Sequence, residues 1–288
     1  MRHSFARGIS KRRISRYVDV LLWLSNALGK GFKEVSRRDM EDAMMKLECS
    51  SYTEWTKATN KMIVKLFYKW LYNTDVYPDV VRWIKVKKVI KKRLPEELLT
   101  PEEVKRMIDA CNHIRDKALV SFLYESGCRV GELLNLRIRD VEFMDNICYV
   151  MLNGKTGMRR IPIINSVPYL ANWIENHPLR DDRNAYVFVS LVGKNRKSRM
   201  GYTAVRLLLR DIAKRAGIKK RVNPHNFRHS RATELASKIT EQQLKKYFGW
   251  SSDSKMAAVY VHLSGRIWRM LFSRLMELRL RRGGRRMG

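Results

Sequence analysis

The sequence predicts a mainly α-helical protein with a small antiparallel β element, divided into two domains. Apolar residues recur at the i, i+3, i+4 and i+7 spacing of a helix through much of the chain. Two stretches rich in β-branched residues, 141–152 and 159–164, flank a turn signal at 153–157. A basic run at 85–99, broken by a proline, separates two differently patterned regions, and a length of 288 residues is comfortable for two domains.

The first domain, residues 1–84, is predicted to be helical. Its first helix covers 12–28, where the apolar side chains share one face. Ser36 followed by Asp39 is an N-cap signal that opens a second helix. A third helix is predicted over 53–72 by the same apolar spacing.

Lysines are concentrated on this third helix and in the basic linker at 85–99. We predict that they contact a phosphate backbone, with a merely solvated helix face as the alternative for the helical set. The helical lysines recur at i, i+4 spacing and the linker lysines in pairs; they are Lys57, Lys61, Lys65, Lys69, Lys87, Lys88, Lys91 and Lys92.

The second domain is predicted over 100–263. Thr100, the proline after it and Glu103 form a helix-start signal, and a helix over 116–126 is closed by Gly127. The strand–turn–strand follows, and the pattern becomes helical again from about residue 202. The helices predicted there cover 223–237, 240–248 and 253–262, and residues 264–288 form a basic C-terminal helix and tail.

The charge balance indicates the partner. Fifty-nine Lys and Arg against 28 Asp and Glu give a net charge of +31, and both halves of the chain are basic. Such a charge repels itself in the compact state unless a polyanion binds it, so nucleic acid is the expected partner and an acidic membrane surface the second choice. A basic surface that serves only solubility is the remaining alternative.

Other classes are disfavoured by what the sequence lacks. No run approaches the ~20 apolar residues of a transmembrane helix, and the first residues lack the apolar centre of a secretion signal. The four cysteines form no CxxC pair, which disfavours a zinc site and a disulfide framework. We therefore expect a soluble intracellular protein that does not bind a membrane.

Two features early in the second domain are candidates for chemistry. Arg129 follows a glycine helix stop and begins a new helix, where its guanidinium and free backbone N–H groups can face an anion. Glu132 lies on the same face and is placed to hold Arg129, although an ordinary Arg–Glu surface pair is the alternative. Lys155 occupies the tip of the predicted turn, a common place for a lysine that only faces solvent.

Two further features come late in the chain. Asn223 and the following proline begin a helix, so His225 and Arg228 lie i, i+3 in its first turn, where the helix dipole favours an anion. Trp250 follows a helix stop, and Tyr260 lies on the next short helix. For both aromatic residues, ordinary packing is the alternative.

Together and in this order, these residues resemble the tyrosine recombinase (phage integrase-like) family, which includes archaeal mobile-element integrases and Xer-type recombinases. The family's catalytic set runs Arg, Lys on a β-hairpin, His-x-x-Arg, His or Trp, and then Tyr. The matching segments are CRVGELLNL, NGKTG, HNFRH, FGW and AVYVH, and the matching residues are Arg129, Lys155, His225, Arg228, Trp250 and Tyr260. Trp250 stands where simpler bacterial members commonly have His, and the interval to Tyr260 is one residue longer than expected.

The resemblance implies a two-domain DNA clamp with a helical core-binding (SAM-like) domain and a mixed α/β catalytic domain. It implies that Tyr260 attacks a DNA phosphodiester to form a 3′-phosphotyrosine, while Arg129 and Arg228 stabilise the phosphate. His225 would donate to the phosphate or accept the tyrosine proton, and Lys155 would protonate the leaving 5′ oxygen. Trp250 would be a further hydrogen-bond donor, and Glu132 and His262 would support the site.

The resemblance also implies the partners. Two guanidiniums do the electrostatic work of a metal, so no metal, ATP or other cofactor is expected. The partner is a double-stranded DNA attachment or recombination site, at which a homotetramer (monomer or dimer when free) exchanges strands through a Holliday junction. This would occur in the cytoplasm at the host nucleoid. Residues 264–288 would dock on a neighbouring protomer, or pack on their own.

Several functions remain open at this level. The leading hypothesis is a site-specific recombinase that integrates or excises a viral or plasmid element. The second is a Xer-type resolvase of chromosome or plasmid dimers, and type IB topoisomerases use similar residues. A non-catalytic, architectural DNA-binding protein is the alternative from another class, and it would not need Tyr260. The presence of only two glutamines in the chain is a weak indication of a hot-growing host.

Overall fold

The computed structural model describes residues 8–87, 95–154, 156–193 and 196–265, with the side chains of His262 and Leu263 left outside the description. The chain divides into two compact units between Lys92 and Arg93, a boundary that falls inside the 85–99 range predicted as the linker. Both units are mainly helical, and the second contains a three-stranded antiparallel sheet. The predicted fold class is confirmed. Some residues of the predictions lie outside the description: three lysines of the basic set (Lys88, Lys91 and Lys92), the catalytic candidate Lys155, and 266–288 of the C-terminal segment.

The first unit is built from helices with clear start and stop signals. They are α1 (Lys11–Leu28), α2 (Arg37–Glu48), α3 (Glu54–Leu71) and the short α4 (Asp79–Arg82). Ser36 and Asp39 form the capping box that opens α2, and Thr53 caps α3. Gly29 ends α1 with a φ of 67°, a left-handed conformation that favours glycine. The apolar helix faces meet in one core, which includes Leu24, Met40, Leu47, Val64 and Tyr68.

The second unit begins with three helices, continues with the sheet and ends with further helices. The first group is α5 (Pro101–Asp109), α6 (Ile114–Ser126) and α7 (Val130–Asn135). The strands are β1 (Val141–Met144), β2 (Ile147–Gly154) and β3 (Gly157–Ile163). The last group is α8 (Val167–Glu175), α9 (Tyr202–Arg215), α10 (Pro224–Ala236), α11 (Glu241–Phe248) and α12 (Met256–Leu263).

Helix α6 lies at the centre of the second unit. Its buried residues surround the helix, and it packs against α5, α8, α10 and β3. Because it is buried on several sides, it has no single apolar face in the sequence. Gly127 ends α6 with a φ of 52°, and a Cβ at this position would overlap the Phe248 ring. The glycine therefore allows the chain to turn towards α11 immediately after the central helix.

The sheet is an antiparallel meander in the order β1–β2–β3. Leu152 pairs with Arg159 and Gly154 with Gly157, so β2 and β3 form a hairpin that closes next to residue 155. The sequence-based prediction of one strand over 141–152 is wrong, because β1 ends at Met144. Asp145, with a φ of 50°, turns the chain there, and aspartate tolerates this conformation better than most residues.

Helix α8, in the described part of the second unit, is a helix that the sequence pattern does not predict. Its nine residues are short for a periodicity argument, although the proline in its first turn is a helix-start signal. No helix in the described ranges is long and apolar enough to cross a membrane. Those ranges also contain no group of His, Cys, Asp and Glu side chains arranged to hold a metal ion.

Candidate functional site

Three segments of the second unit form the candidate site: the start of α7, the β2–β3 hairpin, and the region from α10 to α12. Helices α10, α11 and α12 share a small apolar core of their own, formed by Ala232, Ala236, Leu244, Phe248, Ala257 and Tyr260. This core fixes the helix that holds Tyr260 against the helix that holds Arg228. Sequence positions far apart in the chain are thereby brought to one place.

Arg129 is the N-cap residue of α7. Glu132 accepts a hydrogen bond from the Arg129 backbone N–H at 2.8 Å and another from Arg129 Nη1 at 3.0 Å. The other terminal nitrogen, Nη2, lies 3.5 Å from the carbonyl oxygen of Gly249. With 31% of its side chain exposed, Arg129 is held from behind while its outer face remains accessible to a ligand.

Glu132 is a buried carboxylate that two arginines share. Its side chain is only 3% exposed, and Arg159 on β3 donates to both of its oxygens at 3.0 and 2.7 Å. Burial opposes ionisation, but the hydrogen bonds from Arg159 and Arg129 outweigh it and hold the pKa of Glu132 at about 2. Glu132 is therefore ionised near neutral pH.

Arg228 is buried in the middle of the site. Its Nη1 donates to the carbonyl oxygen of Gly127 at 2.9 Å and its Nη2 to that of Phe248 at 2.8 Å. Burial, together with the nearby positive charge of Arg129, lowers the pKa of Arg228 to about 10. The guanidinium remains charged near neutral pH, and two like charges are held close together.

Trp250 and Tyr260 complete this group. Their rings stack in parallel with centroids 5.3 Å apart, and the Arg228 guanidinium lies 5.6 Å from the Trp250 ring centroid. Tyr260 is 3% exposed, and its hydroxyl is hydrogen-bonded with Nδ1 of His229. The structure thus brings Arg129, Arg228, Trp250 and Tyr260 into one connected arrangement.

His229 is a residue that the sequence analysis did not select. His225 is exposed in the first turn of α10, and His229 lies one helical turn further on, with the two ring centroids 6.4 Å apart. The sequence-based hypothesis gave His225 either a hydrogen bond to the phosphate or the tyrosine proton, whereas the hydrogen bond described here joins Tyr260 to His229. The i, i+4 spacing of the two histidines in HNFRH was the available signal.

Tyr247 is the other tyrosine near the site in the chain, and its hydroxyl is directed away from Tyr260. Its hydroxyl donates to the carbonyl oxygen of Glu125 at 2.8 Å. Burial raises the pKa of Tyr247 to about 12, which makes its phenolate harder to form. Neither observation suits a nucleophile.

The residues on both sides of Lys155 are described, although Lys155 itself is not. Thr156 Oγ1 donates to the carbonyl oxygen of Gly249 at 2.9 Å, and Gly154 packs against Glu132. The side chain of His262, expected to support the site, also lies outside the description.

The helical lysines of the first unit have partners within that unit. Lys57 and Lys61 pair with Glu48, and Lys57 also pairs with Glu54. Lys65 donates to the carbonyl oxygen of Ile84 at 2.9 Å, while Lys69 pairs with Asp75 and Lys87 is exposed. These contacts weigh against the four helical lysines as a free phosphate-binding stripe, which stays an untested prediction.

Comparison with known proteins gives these residues a context. Residues 97–266 match the phage integrase family. The tyrosine recombinase XerA of Pyrococcus furiosus is 33% identical over 234 residues, covering 79% of this chain and 75% of the relative.

Two solved structures are similar in fold. The XerH site-specific recombinase, bound to its palindromic difH substrate in a post-cleavage complex, superposes with a TM-score of 0.74 at 17% identity, covering 93% of this chain and 81% of the other. A lambda integrase tetramer bound to a Holliday junction gives a TM-score of 0.65 at 16% identity, covering 90% and 74%.

Proposed function

Because this chain belongs to the phage integrase family and is a tyrosine recombinase, we propose that it cleaves and rejoins duplex DNA with Tyr260 as the nucleophile. The proposal rests above all on one observation, the stacking of Tyr260 on Trp250 beside the buried guanidinium of Arg228. A tyrosine next to fixed positive charge is the arrangement that attack on a phosphodiester requires.

The charges of the site suit a phosphate. Arg129, Arg159 and Arg228 provide three positive charges and Glu132 one negative charge, so these four side chains carry a net charge of +2. Burial and, after it, the charge of Arg129 lower the pKa of Arg228, which means that both disfavour its charged form, and a bound phosphate would stabilise that form. Arg129 and Arg228 would then stabilise the charge that grows on the non-bridging oxygens in the transition state.

The reaction is a transesterification. The phenolic oxygen of Tyr260 bonds to phosphorus, the bond between phosphorus and the 5′ oxygen breaks, and a 3′-phosphotyrosine forms. The phenolic proton passes to a neighbouring base, for which His229 has the closest described contact, and Lys155 protonates the departing 5′ oxygen. The covalent bond conserves the energy of the phosphodiester, so a 5′-hydroxyl from another strand rejoins the DNA without ATP.

The partner is double-stranded DNA, and four copies of the chain exchange strands. The fold shared with XerH on difH and with the lambda integrase tetramer on a Holliday junction supports this assembly. The net charge of +31 supports a polyanionic partner independently. The enzyme would act at the nucleoid, in the cytoplasm of its host.

Integration and excision of a viral or plasmid element is the first candidate for the biological substrate. The alternative is resolution of chromosome or plasmid dimers by a Xer-type enzyme. The 33% identity to XerA over most of both chains favours keeping this alternative. The two functions differ in the DNA they use, because a resolvase joins two copies of one site whereas an integrase joins two different sites.

Covalent trapping tests the reaction and identifies the site. Host DNA fragments bound by the protein are rebuilt as duplexes nicked near the centre, so that cleavage releases a short strand and the enzyme stays attached. We expect a detergent-stable adduct whose DNA-linked peptide contains Tyr260, with none for Tyr260→Phe and an unchanged amount for Tyr247→Phe.

Adducts that persist in Tyr260→Phe would contradict the proposal. The sequences recovered from the trapped DNA distinguish the two substrates. One chromosomal site recombining with a copy of itself indicates a resolvase, and a chromosomal site paired with a different element-borne site indicates an integrase.

A further inference from the structure

Arg159 lies where the three segments of the candidate site meet. All three nitrogens of its guanidinium donate hydrogen bonds: Nε to the carbonyl oxygen of Tyr247 at 2.9 Å, and Nη1 and Nη2 to the two oxygens of Glu132. The side chain is 8% exposed. One residue of β3 is therefore bound both to the start of α7 and to the end of α11.

The β2–β3 hairpin rests on the same Arg159–Glu132 pair. Gly154, at the end of β2, approaches Glu132 so closely that a Cβ there would collide with Oε1, and it would lie 3.4 Å from Arg159 Nη1. On the other side, Thr156 donates to the carbonyl oxygen of Gly249. The turn end of the hairpin is thus attached both to the start of α7 and to the residue that follows α11.

Arg159 also determines how strongly Glu132 holds Arg129. The two oxygens of Glu132 receive the fork of Arg159, which leaves the Arg129 guanidinium a single contact with this carboxylate, from Nη1 to Oε1 at 3.0 Å. Without Arg159, a buried carboxylate would have Arg129 as its remaining guanidinium partner. Since an uncompensated buried charge is strongly unfavourable, it would draw Arg129 into a two-pronged pair and away from a ligand.

We propose that Arg159 is a positioning residue for DNA cleavage. It neutralises Glu132 so that Arg129 remains available to the scissile phosphate, and it fixes the turn end of the hairpin at the site. This inference rests on the proposed function, because both effects concern attack on a DNA phosphodiester. We assign Arg159 no contact with the phosphate, because its side chain is only 8% exposed and three of its five N–H groups are already bonded within the protein.

A double-mutant cycle that removes the charges of Arg159 and Glu132 tests this role. Arg159→Met keeps an apolar stem and removes the guanidinium, and we expect the single-turnover cleavage rate to fall about 100-fold, comparable to the loss of a fixed charge donor. The Kd for the same duplex should change by less than about threefold, because binding depends on many phosphate contacts. The double variant Glu132→Gln/Arg159→Met also lacks the carboxylate charge. Its cleavage rate should therefore be at least about tenfold higher than that of Arg159→Met.

Arg160→Met is the matched control. Arg160 is the next residue of β3, is exposed, and pairs instead with Glu142 at 2.7 Å, so its loss should leave the cleavage rate unchanged. Arg159→Lys keeps the positive charge but lacks the two-pronged guanidinium. Its cleavage rate should therefore lie between those of the wild type and Arg159→Met. If Arg159→Met does not fold, as judged by thermal denaturation, Arg159→Lys provides the test: slower cleavage at wild-type affinity supports the role.

Two outcomes overturn the inference. One is wild-type cleavage by a folded Arg159→Met, or by Arg159→Lys where only that variant folds. The other is a double variant as slow as Arg159→Met, which would show that Arg159 acts independently of Glu132. Failure of the wild-type chain to form any adduct would count against the proposed function instead, so the two failures are distinguishable.

Discussion

Arg228 is a buried charged residue whose surroundings favour the binding of an anion. Its guanidinium is buried and donates to two main-chain carbonyl oxygens, while the nearby charge of Arg129 helps to lower its pKa. A main-chain oxygen orients a guanidinium but carries no full negative charge to neutralise it. In the proposed function, the DNA phosphate would supply the anionic partner that this guanidinium lacks.

Replacing either arginine should slow the chemical step. We expect Arg129→Ala and Arg228→Ala each to lower the single-turnover cleavage rate by a factor on the order of 10²–10³, as for the loss of one preorganised donor. Wild-type cleavage should be the same in EDTA, because the guanidiniums provide the charge stabilisation. The measurement is adduct formation on a nicked duplex, and a strict requirement for a divalent metal would contradict this argument.

Glu132 gives the fold a predictable pH dependence. Its pKa is about 2 in the folded chain, against 4.5 for an ordinary glutamate, so the folded state favours the ionised form. The resulting stabilisation is fully present above about pH 4.5 and is lost as the pH falls towards 2. Relative to Glu132→Gln, the wild type should be more stable near neutral pH, and the difference should shrink between pH 4.5 and 2.

Denaturant unfolding of both proteins across this pH range measures the effect. Glu142→Gln is a suitable comparison, since its carboxylate pairs with Arg160 at an exposed position and should contribute little. A wild-type advantage that stays constant down to pH 2 would show that Glu132 stabilises the fold by packing rather than by its charge.

At the scale of elements, the sequence predicts best where local chemistry decides the structure. The starts of α2, α5 and α10 follow from Ser36, Thr100 and Asn223, whose side chains accept backbone N–H bonds as expected. The break between β1 and β2 was not predicted, because Asp145 and its neighbour lie inside a β-branched run. Helix α6 is buried on several sides, so its burial is not visible in a periodic pattern.

The residues of the candidate site also fall into two groups, those that local motifs predict and those that they do not. Motif spacing selects the six family-like residues, since each motif depends on a few neighbouring positions. Arg159 and His229 were not selected, because their partners Glu132 and Tyr260 are 27 and 31 residues away and meet them only after folding. Long-range pairs of this kind leave no local signal, apart from the histidine spacing in HNFRH.

The cap of α10 should matter for both stability and activity. Asn223 accepts hydrogen bonds from the backbone N–H groups of His225 and Asn226, so Asn223→Ala should cost about 1 kcal/mol. For a unit of this size, that lowers Tm by roughly 2–4 °C. Cleavage should also slow, because the first turn of this helix presents His225.

Thermal denaturation with Ser10→Ala as the control checks this prediction. Ser10 occupies the N-cap position of α1 without a side-chain capping bond, so its replacement should leave Tm unchanged. Equal shifts in Tm for the two variants would show that the Asn223 hydrogen bonds do not stabilise the helix.

For the whole molecule, the net charge of +31 predicts binding that is strongly weakened by salt. Each neutralised phosphate releases counterions, so a duplex-binding protein with several such contacts loses affinity on the order of 10³ between 50 and 200 mM salt. Tyr260→Phe should show the same slope as wild type in a titration followed by fluorescence anisotropy. A slope near zero would exclude binding through the phosphate backbone.

The helical lysines provide an internal comparison for that titration. Lys57 and Lys61 already pair with Glu48, so Lys61→Ala should change the salt slope little, whereas the exposed Lys87 has more freedom to contact DNA. A slope reduced by about one unit in Lys61→Ala would place this lysine on a phosphate after all.

The main-chain anchors of the arginines have a consequence for how much mutation the enzyme tolerates. Arg159, Arg228 and Arg129 are held in part by carbonyl oxygens of residues 127, 247, 248 and 249, and every amino acid provides such an oxygen. Side chains at these anchor positions can therefore vary without removing an acceptor. The exceptions are Gly127 and Gly249, whose positive φ values restrict them, and Phe248, whose side chain belongs to the buried core of α10, α11 and α12. Variants selected for activity in a mutational library should accordingly be nearly invariant at the two glycines, keep a large apolar residue at 248 and be more diverse at 247.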